Sequence, residues 1–296
     1  MTRGEGPTPL PHPGLAWLDA SPEGRAWLAR LPSLVEACVE RWGLVAGEPY
    51  VYAYASLALR VRTPDGKPAV LKIQFPDRES EHEADALRAW DGHGAVRLLA
   101  DDRERRALLL ERCQPGTPLA EIGAERALDV AIALLPRLFI PAGKPFRPLA
   151  DEAEEWATDL PSDWERAGRP FERELIDTAV EALRSLATSQ REQVLVHQDL
   201  HAGNVLRAER EPWLVIDPKP LAGEREFGVS ALIRGAELGA RPEHVLHRLD
   251  RLTAELGLDR DRAARWCGGQ TLAWAFDQYE ADAYHVEVAR SLLLEP

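Results

Sequence analysis

Asparagine is almost absent: Asn204 is the single one in 296 residues, and lysine is nearly as rare, with four against 32 arginines. Ordinary usage would give on the order of ten asparagines, so the Asn and Lys that remain mark positions where another residue does not serve. Cysteine is scarce as well. Cys38, Cys113 and Cys267 are odd in number, widely spaced and in no C-x-x-C arrangement, which argues against a disulfide framework or a zinc site and fits a reducing cytoplasm. Long apolar runs are missing. The longest, Ala127 to Ile140, is interrupted by Asp129, Pro136 and Arg137 and is too short to span a bilayer. The Pro- and Gly-rich stretch Met1 to Gly14 lacks the apolar segment of a signal peptide. A basic excess is missing too: the net charge of −13 disfavours nucleic acid, whose phosphates need a basic face, and draws cationic small molecules. What is present, 45% apolar and 29% charged residues, is the composition of a globular chain long enough for two lobes, each with a core.

Helical spacing runs from about Ser21 to Trp42, with Ser21 as N-cap and Pro22 at the first helical position. The β-rich runs Tyr50 to Arg62 and Ala69 to Phe75, split by Thr63-Pro64-Asp65-Gly66, predict a hairpin. A helix over Glu79 to Trp90 follows, then strands at Val96 to Ala100 and Arg106 to Leu110, before Gln114-Pro115-Gly116 breaks the pattern. Beyond Leu119, helices are predicted over about 121–139, 171–188, 228–239, 242–256 and 260–281. Strands there are expected only at Val194 to His197, Val205 to Leu206 and Trp213 to Ile216. The expected class is α+β: a small β-rich N-terminal lobe with a helical preface, residues 1–112, and a larger helical lobe, residues 113–296, joined near Glu111 to Cys113.

The lone asparagine closes His197-Gln198-Asp199-Leu200-His201-Ala202-Gly203-Asn204, an H-x-D-x-x-x-x-N pattern, and a second short strand ends at Asp217. Phosphoryl transfer needs a hydroxyl aimed in line at the γ-phosphorus and cations on the phosphate oxygens. Asp199 is placed to take the hydroxyl proton, while Asn204 and Asp217 offer the hard oxygens that Mg²⁺ prefers. Lys72 ends Val70-Leu71-Lys72, where a lysine in an apolar strand needs a charged partner. Glu83, on the face of the next helix that carries Leu87 and Trp90, is the expected one, ahead of Glu79 and Glu81. The pair would align the α- and β-phosphates of a nucleotide. His201 is expected to be structural rather than a metal ligand, and His197 to brace the loop by hydrogen bonds rather than act as a base. Lys219 is either a contact to phosphate or substrate, or a surface residue.

These segments, together with Ala84-Asp85-Ala86-Leu87-Arg88-Ala89-Trp90, Val96-Arg97-Leu98-Leu99, Ala107 to Arg112, and Ile216-Asp217-Pro218-Lys219 followed by Gly223-Glu224, carry a family resemblance. The chain resembles the aminoglycoside phosphotransferase branch of the protein-kinase-like superfamily, most specifically the streptomycin 6-kinase and hydroxyurea phosphotransferase group. The resemblance covers residues 45–235 well and the C-terminal helices loosely. It implies a bilobal kinase-like fold, ATP (GTP being an alternative) with Mg²⁺ in the cleft, and backbone contacts from Glu111 and Cys113 to the adenine. It also implies carboxylates in the helical lobe for a cationic acceptor, of which Asp277, Glu280 and Asp282, near the end of the last long helix, are the candidates. Trp266 and Trp274 on that helix are core residues by default, either being able to stack under a sugar or guanidino group.

Two positions depart from the pattern. Tyr52-Ala53-Tyr54-Ala55-Ser56 replaces a glycine-containing phosphate turn, leaving Ser56 as a donor to phosphate, and Gly228 stands where an aspartate that braces the catalytic loop is expected. Pro218-Lys219 after Asp217, with no A-P-E segment downstream, speaks against a peptide acceptor. The sequence therefore predicts a cytoplasmic ATP-dependent O-phosphotransferase for a small molecule such as streptomycin, a monomer or homodimer with no nucleic-acid or membrane partner. The rivals are a kinase of a hydroxylated metabolite or hydroxyurea, and a nucleotide-binding regulator without catalysis.

Overall fold

The computed structural model describes residues 13–51, 55–277 and 279–294. The chain divides into two compact units, residues 1–84 with 96–112 and residues 85–95 with 113–296. Residues 85–95 thus cluster with the second unit, not with the rest of 1–112.

The first unit opens with a 3₁₀ segment, Pro13–Ala20, and helix α1, Pro22–Trp42. Ser21 caps α1 as expected, its hydroxyl accepting from Gly24 N at 2.9 Å, and Gly43 closes it in the left-handed region at φ 62°. Strand β1, Val45–Pro49, was not predicted: every residue before Pro49 is exposed, so no apolar alternation betrays it. Strands β2, Ser56–Arg62, and β3, Pro68–Gln74, form the predicted hairpin, with Gly66 N donating to Thr63 O at 2.8 Å across the turn. The strand expected from Tyr50 begins only at Ser56, and Tyr52, Ala53 and Tyr54 lie outside the described residues.

Helix α2, Glu83–Trp90, starts four residues later than predicted. The Asp77 carboxylate takes both the N–H and the hydroxyl of Ser80, each at 2.7 Å, and winds residues 77–80 into a turn instead. Strands β4, Leu98–Asp102, and β5, Ala107–Glu111, lie one to two residues later than predicted and complete an antiparallel sheet of order β1-β2-β3-β5-β4. Its core joins Leu57, Leu59, Leu71, Ile73 and Leu109 to Trp27, Leu31 and Cys38 of α1.

In the second unit, α3, Ala124–Leu138, is tied to the end of α2 by Trp90 Nε1 donating to Leu138 O at 2.9 Å. A two-residue strand β6, Arg147–Pro148, runs straight into α4, Leu149–Arg166, a helix the sequence reading missed. Its buried Leu149, Ala153, Ala157, Leu160 and Trp164 have helical spacing, but Pro161 within it reads as a breaker. Helix α5, Arg173–Thr188, packs beside it over a shared core. Strands β7, Val194–His197, β8, Val205–Arg207, and β9, Trp213–Val215, follow as predicted to within a residue or so. An unpredicted β10, Pro220–Gly223, pairs antiparallel with β7 and parallel with β6.

The helix predicted over 228–239 is broken: a 3₁₀ turn Phe227–Val229, a five-residue α6, Ser230–Arg234, and a second 3₁₀ turn Ala236–Leu238 replace it. Gly235 leaves the helical region, and the buried Arg248 guanidinium takes the carbonyls of Ile233, Leu238 and Gly239 at 2.9–3.0 Å, substituting for helical hydrogen bonds. Helix α7, Pro242–Leu256, matches its prediction and ends on left-handed Gly257. Helix α8 covers only Arg260–Ala273. The chain then makes a small hairpin, β11 Phe276–Asp277 with β12 Glu280–Ala281, and ends in α9, Ala283–Leu293, capped by Asp282. The single long helix expected over 260–281 is thus corrected to a helix and a hairpin.

Candidate active site

Strand alternation puts Lys72 and Gln74 on one face of β3, and both reach toward the start of α2. Lys72 Nζ lies 2.6 Å from Glu83 Oε2, and Gln74 Nε2 donates to the same oxygen at 2.7 Å. Lys72 is 6% exposed and Glu83 0%, so each charge is stabilised by the other in a medium that would reject either alone. The structure thus selects Glu83 over Glu79 and Glu81 and adds Gln74, which two-residue periodicity could have supplied. Ser56, opposite Gln74 in the hairpin, is buried. Glu111 ends β5, its carboxylate accepting from Arg97 N at 3.0 Å, and Cys113 just after it is buried. Removing the charge with Glu83→Gln is expected to cost about 3–5 kcal/mol of stability, as for other buried pairs broken on one side, and to raise KM for the nucleotide. Urea unfolding with parallel kinetics measures both; an unchanged midpoint and KM would dismiss the pair.

In the second unit, β7 is buried over its whole length and delivers His197 to the loop. Burial pulls the His197 imidazole down to about 4, so it is neutral near pH 7. As a neutral ring its Nε2 donates to Ile216 O at 3.3 Å, while Nδ1 accepts from Asp199 N at 3.1 Å. One ring therefore links the two strand exits. The loop is tightly wound beyond it: His201 N donates to Asp199 O and Asn204 N to His201 O, both at 2.9 Å. Gly203 N donates to His201 Nδ1 at 3.1 Å, which gives His201 the structural part expected of it, and Ala202 N donates to Glu237 Oε1 at 2.9 Å.

Asn204 Nδ2 donates to the Asp199 carbonyl at 2.9 Å, which fixes the amide and leaves its oxygen as the acceptor. Its own carbonyl accepts from Ile216 N at 2.9 Å, locking the loop to the residue before Asp217. Asp217 has φ of 52°, a left-handed conformation that Asp tolerates better than most side chains. Asn204 and Asp217 thus supply hard oxygens and no sulfur, a donor set that suits Mg²⁺ with its remaining positions left to phosphate and water.

The Asp199 carboxylate sits between two cations. Lys219 Nζ lies 2.7 Å from Oδ2 and Arg234 Nη2 lies 3.7 Å from Oδ1. Burial pushes the Asp199 carboxyl up, but Lys219, His201 and His197 outweigh it and hold it below the usual carboxylate range. It is therefore ionised at neutral pH. Lys219, read as either a phosphate or substrate contact or a surface residue, is paired with the Asp199 carboxylate in this structure.

The sequence model of the aminoglycoside/hydroxyurea antibiotic resistance kinase family matches residues 41–278. A streptomycin 6-kinase from Streptomyces glaucescens is 41% identical over 257 residues, covering 84% of this chain and 83% of that one. A hydroxyurea phosphotransferase from Kitasatospora aureofaciens is 40% identical over 274 residues, covering 90% and 79%. The chain belongs to this kinase family. A choline kinase from Streptococcus pneumoniae, 13% identical with a TM-score of 0.65 over 90% of this chain and 100% of that one, has the same fold. The kinase-like α+β fold and the small-molecule phosphotransferase class expected from sequence are thereby established.

Within this kinase the remaining expected residues fare unevenly. Asp277 and Glu280 lie directly opposite each other on the β11–β12 hairpin, not on a helix, and both are exposed. Like charges so placed repel, and no hydrogen bond or ion pair joins either carboxylate to another described residue. Asp282 is engaged as the N-cap of α9, accepting from His285 N at 2.7 Å. Trp274 does stack under a guanidinium, but the kinase's own: Arg234 Cζ lies 4.6 Å from its ring centroid. Trp266 is core, its Nε1 donating to the buried Glu224 carboxylate, which also pairs with Arg262 at 2.6 Å. Arg234 was missed because nothing in the sequence sets one arginine apart from 31 others. No helix among the described residues is long and apolar enough to cross a membrane.

Proposed function

We propose that this kinase transfers the γ-phosphoryl group of ATP to a hydroxyl of a cationic aminocyclitol of the streptomycin type. The observation that carries the chemistry is the Asp199 carboxylate, ionised, bound by Lys219 at one oxygen and faced by Arg234 at the other, on a loop whose Asn204 is tied both to the Asp199 backbone carbonyl and to the residue before Asp217. Asp199 accepts the acceptor's O–H proton as the hydroxyl oxygen bonds to the γ-phosphorus and the bond to the ADP oxygen breaks. Lys219 keeps the carboxylate oriented and adds positive charge where phosphate oxygens gather. Lys72, aligned by Glu83 and Gln74, holds the α- and β-phosphates, with Ser56 donating to phosphate and the backbone of Glu111 and Cys113 meeting the adenine. Asn204 and Asp217 hold Mg²⁺, which neutralises charge on the phosphate oxygens when bound. The buried free thiols of Cys38, Cys113 and Cys267 suit a reducing cytoplasm.

The acceptor class is supported by the streptomycin kinases among the relatives, by the net charge of −13, and by the opposed Asp277 and Glu280, to which a guanidinium can bind in fork fashion. Phosphate transfer to streptomycin, other aminoglycosides, hydroxyurea and neutral polyols should be compared at two ionic strengths. The expected result is preference for streptomycin, with kcat/KM falling as salt rises. The double variant Asp277→Asn, Glu280→Gln is expected to raise KM for streptomycin more than it lowers kcat. Preference for hydroxyurea or a polyol without salt dependence would overturn the acceptor assignment and leave the phosphotransferase. ATP binding without turnover on any acceptor would favour the non-catalytic regulator.

A further inference from the structure

Gly228 occupies the position where an aspartate was expected to brace the catalytic loop, and the structure shows why no side chain stands there. A Cβ on Gly228 would come within 2.5 Å of Phe139 Cε1 and 3.0 Å of its Cζ. Phe139 packs, partly buried, against the main core of this unit, and a side chain at position 228 would have to displace it. Whatever holds the loop from below comes from elsewhere.

The peptide between Gln198 and Asp199 is fixed on both edges. Its N–H donates to His197 Nδ1 at 3.1 Å. Its carbonyl, that of Gln198, accepts from Gln270 Nε2 at 3.2 Å and from Arg234 Nη2 at 3.4 Å. Arg234 Nη1 donates in turn to Gln270 Oε1, so both ends of the Gln270 amide are used. Gln270 is 0% exposed and Arg234 7%. Arg234 is itself held from three sides: its guanidinium lies over Trp274, its side chain faces the Asp199 carboxylate, and its carbonyl accepts from Tyr284 Oη at 2.6 Å. Burying a guanidinium that meets its nearest carboxylate only at 3.7 Å is costly. An apolar side chain would fill the same space more cheaply, so the cost points to a requirement for the charge and its donors at the loop.

We propose that Arg234 and Gln270 are positioning residues for phosphoryl transfer, a polar clamp on the Gln198 carbonyl that sets the Asp199 carboxylate and replaces the brace that Gly228 lacks. The clamp acts through the peptide plane rather than by touching substrate. It rests on the reading of Asp199 as the proton acceptor.

The discriminating variant is Gln270→Glu. It keeps an oxygen acceptor for Arg234 Nη1, anionic in place of the neutral amide, but cannot donate to the Gln198 carbonyl, so the fold is supported while the Gln270 arm of the clamp is cut. Arg234→Met, Arg234→Lys and the double variant Arg234→Met, Gln270→Leu complete the set. Steady-state kinetics should be run well below each variant's thermal midpoint. Because small misplacements of reacting groups cost on the order of 10²-fold, Gln270→Glu and Arg234→Met are expected to lower kcat by about 10- to 100-fold, with KM for ATP within about twofold. Arg234→Lys should recover part of the loss. The double variant should lose less than the product of two single losses, since both side chains serve one carbonyl. Combined with Asp199→Asn, Arg234→Met should add little. Hydrogen exchange of the segment 197–204 reads the clamp without activity: it should quicken in Gln270→Glu and Arg234→Met while the β8–β9 amides stay protected.

The clamp is refuted if kcat stays within about twofold of wild type, or if kcat and KM for ATP worsen together in step with the thermal midpoint. Unchanged exchange at 197–204 refutes it equally. Wild-type protein that transfers no phosphate to any acceptor instead removes the phosphotransferase reading, and the exchange result then decides the clamp alone.

Discussion

Asp199→Asn is expected to lower kcat by about 10²- to 10⁴-fold with nucleotide affinity nearly unchanged, the range for loss of a positioned general base. The substitution keeps the side chain's shape and an oxygen for Lys219, which now sits 2.7 Å from Oδ2. What it removes is the capacity to take a proton. The carboxylate held below its ordinary range is not a strong base in water. In phosphoryl transfer, though, most bond breaking to the leaving group precedes proton transfer, so orientation of the hydroxyl and late acceptance of its proton matter more than basicity. The loop should keep its form, because Asp199 contributes its N–H and carbonyl to His197, His201 and Asn204 whatever its side chain. An equal thermal midpoint in the variant checks that point. Turnover near wild type would sink the assignment of Asp199.

The catalytic loop was legible in the sequence because its function demands residue types that this chain otherwise avoids. In a sequence with one asparagine and four lysines, Asn204, Lys72 and Lys219 stand out before any fold is known. The same composition hides Arg234. Its part depends on Gln270, 36 residues away, and on a break at Gly235 that helical periodicity does not reveal. Helices with recognisable starts and stops, α1 from Ser21-Pro22 to Gly43 and α7 from Pro242 to Gly257, were read to within a residue. Helix α4 was lost because Pro161 breaks its pattern, and the α8 boundary was overrun because that helix is buried almost all round and gives no periodic signal. The overrun misplaced Asp277 and Glu280, whose approach to each other follows from hairpin register, a long-range property that no local pattern encodes. The short strands β6 and β10 lack β-branched residues altogether, and pairing, of β10 with β7 and of β6 with β10, makes them strands where propensity does not.

Mg²⁺ should be required for tight ATP binding by the wild-type protein, and Asp217→Asn should abolish most of that requirement. The choice of Asn is set by the backbone. Asp217 has φ of 52°, where alanine would add strain on the order of 1 kcal/mol, whereas Asn accepts the left-handed region and removes only the charge. Two protein oxygens, from Asn204 and Asp217, leave an octahedral Mg²⁺ dependent on phosphate and water for the rest, so metal and nucleotide should bind together and neither strongly alone. Loss of the carboxylate should therefore weaken ATP binding in Mg²⁺ toward the metal-free value. It should also lower kcat by about 10²-fold or more, since the charge stabilisation a metal provides is worth several kcal/mol. Asn204→Asp separates the two parts played by Asn204. It retains an oxygen for the metal but loses the Nδ2 donor to the Asp199 carbonyl, now at 2.9 Å. Metal-dependent ATP binding should survive in that variant while kcat falls. Titrations of ATP with and without Mg²⁺ on the three proteins, alongside turnover, give the comparison. Equal ATP affinity with and without Mg²⁺ in the wild type, unchanged in Asp217→Asn, would remove both residues from the metal site.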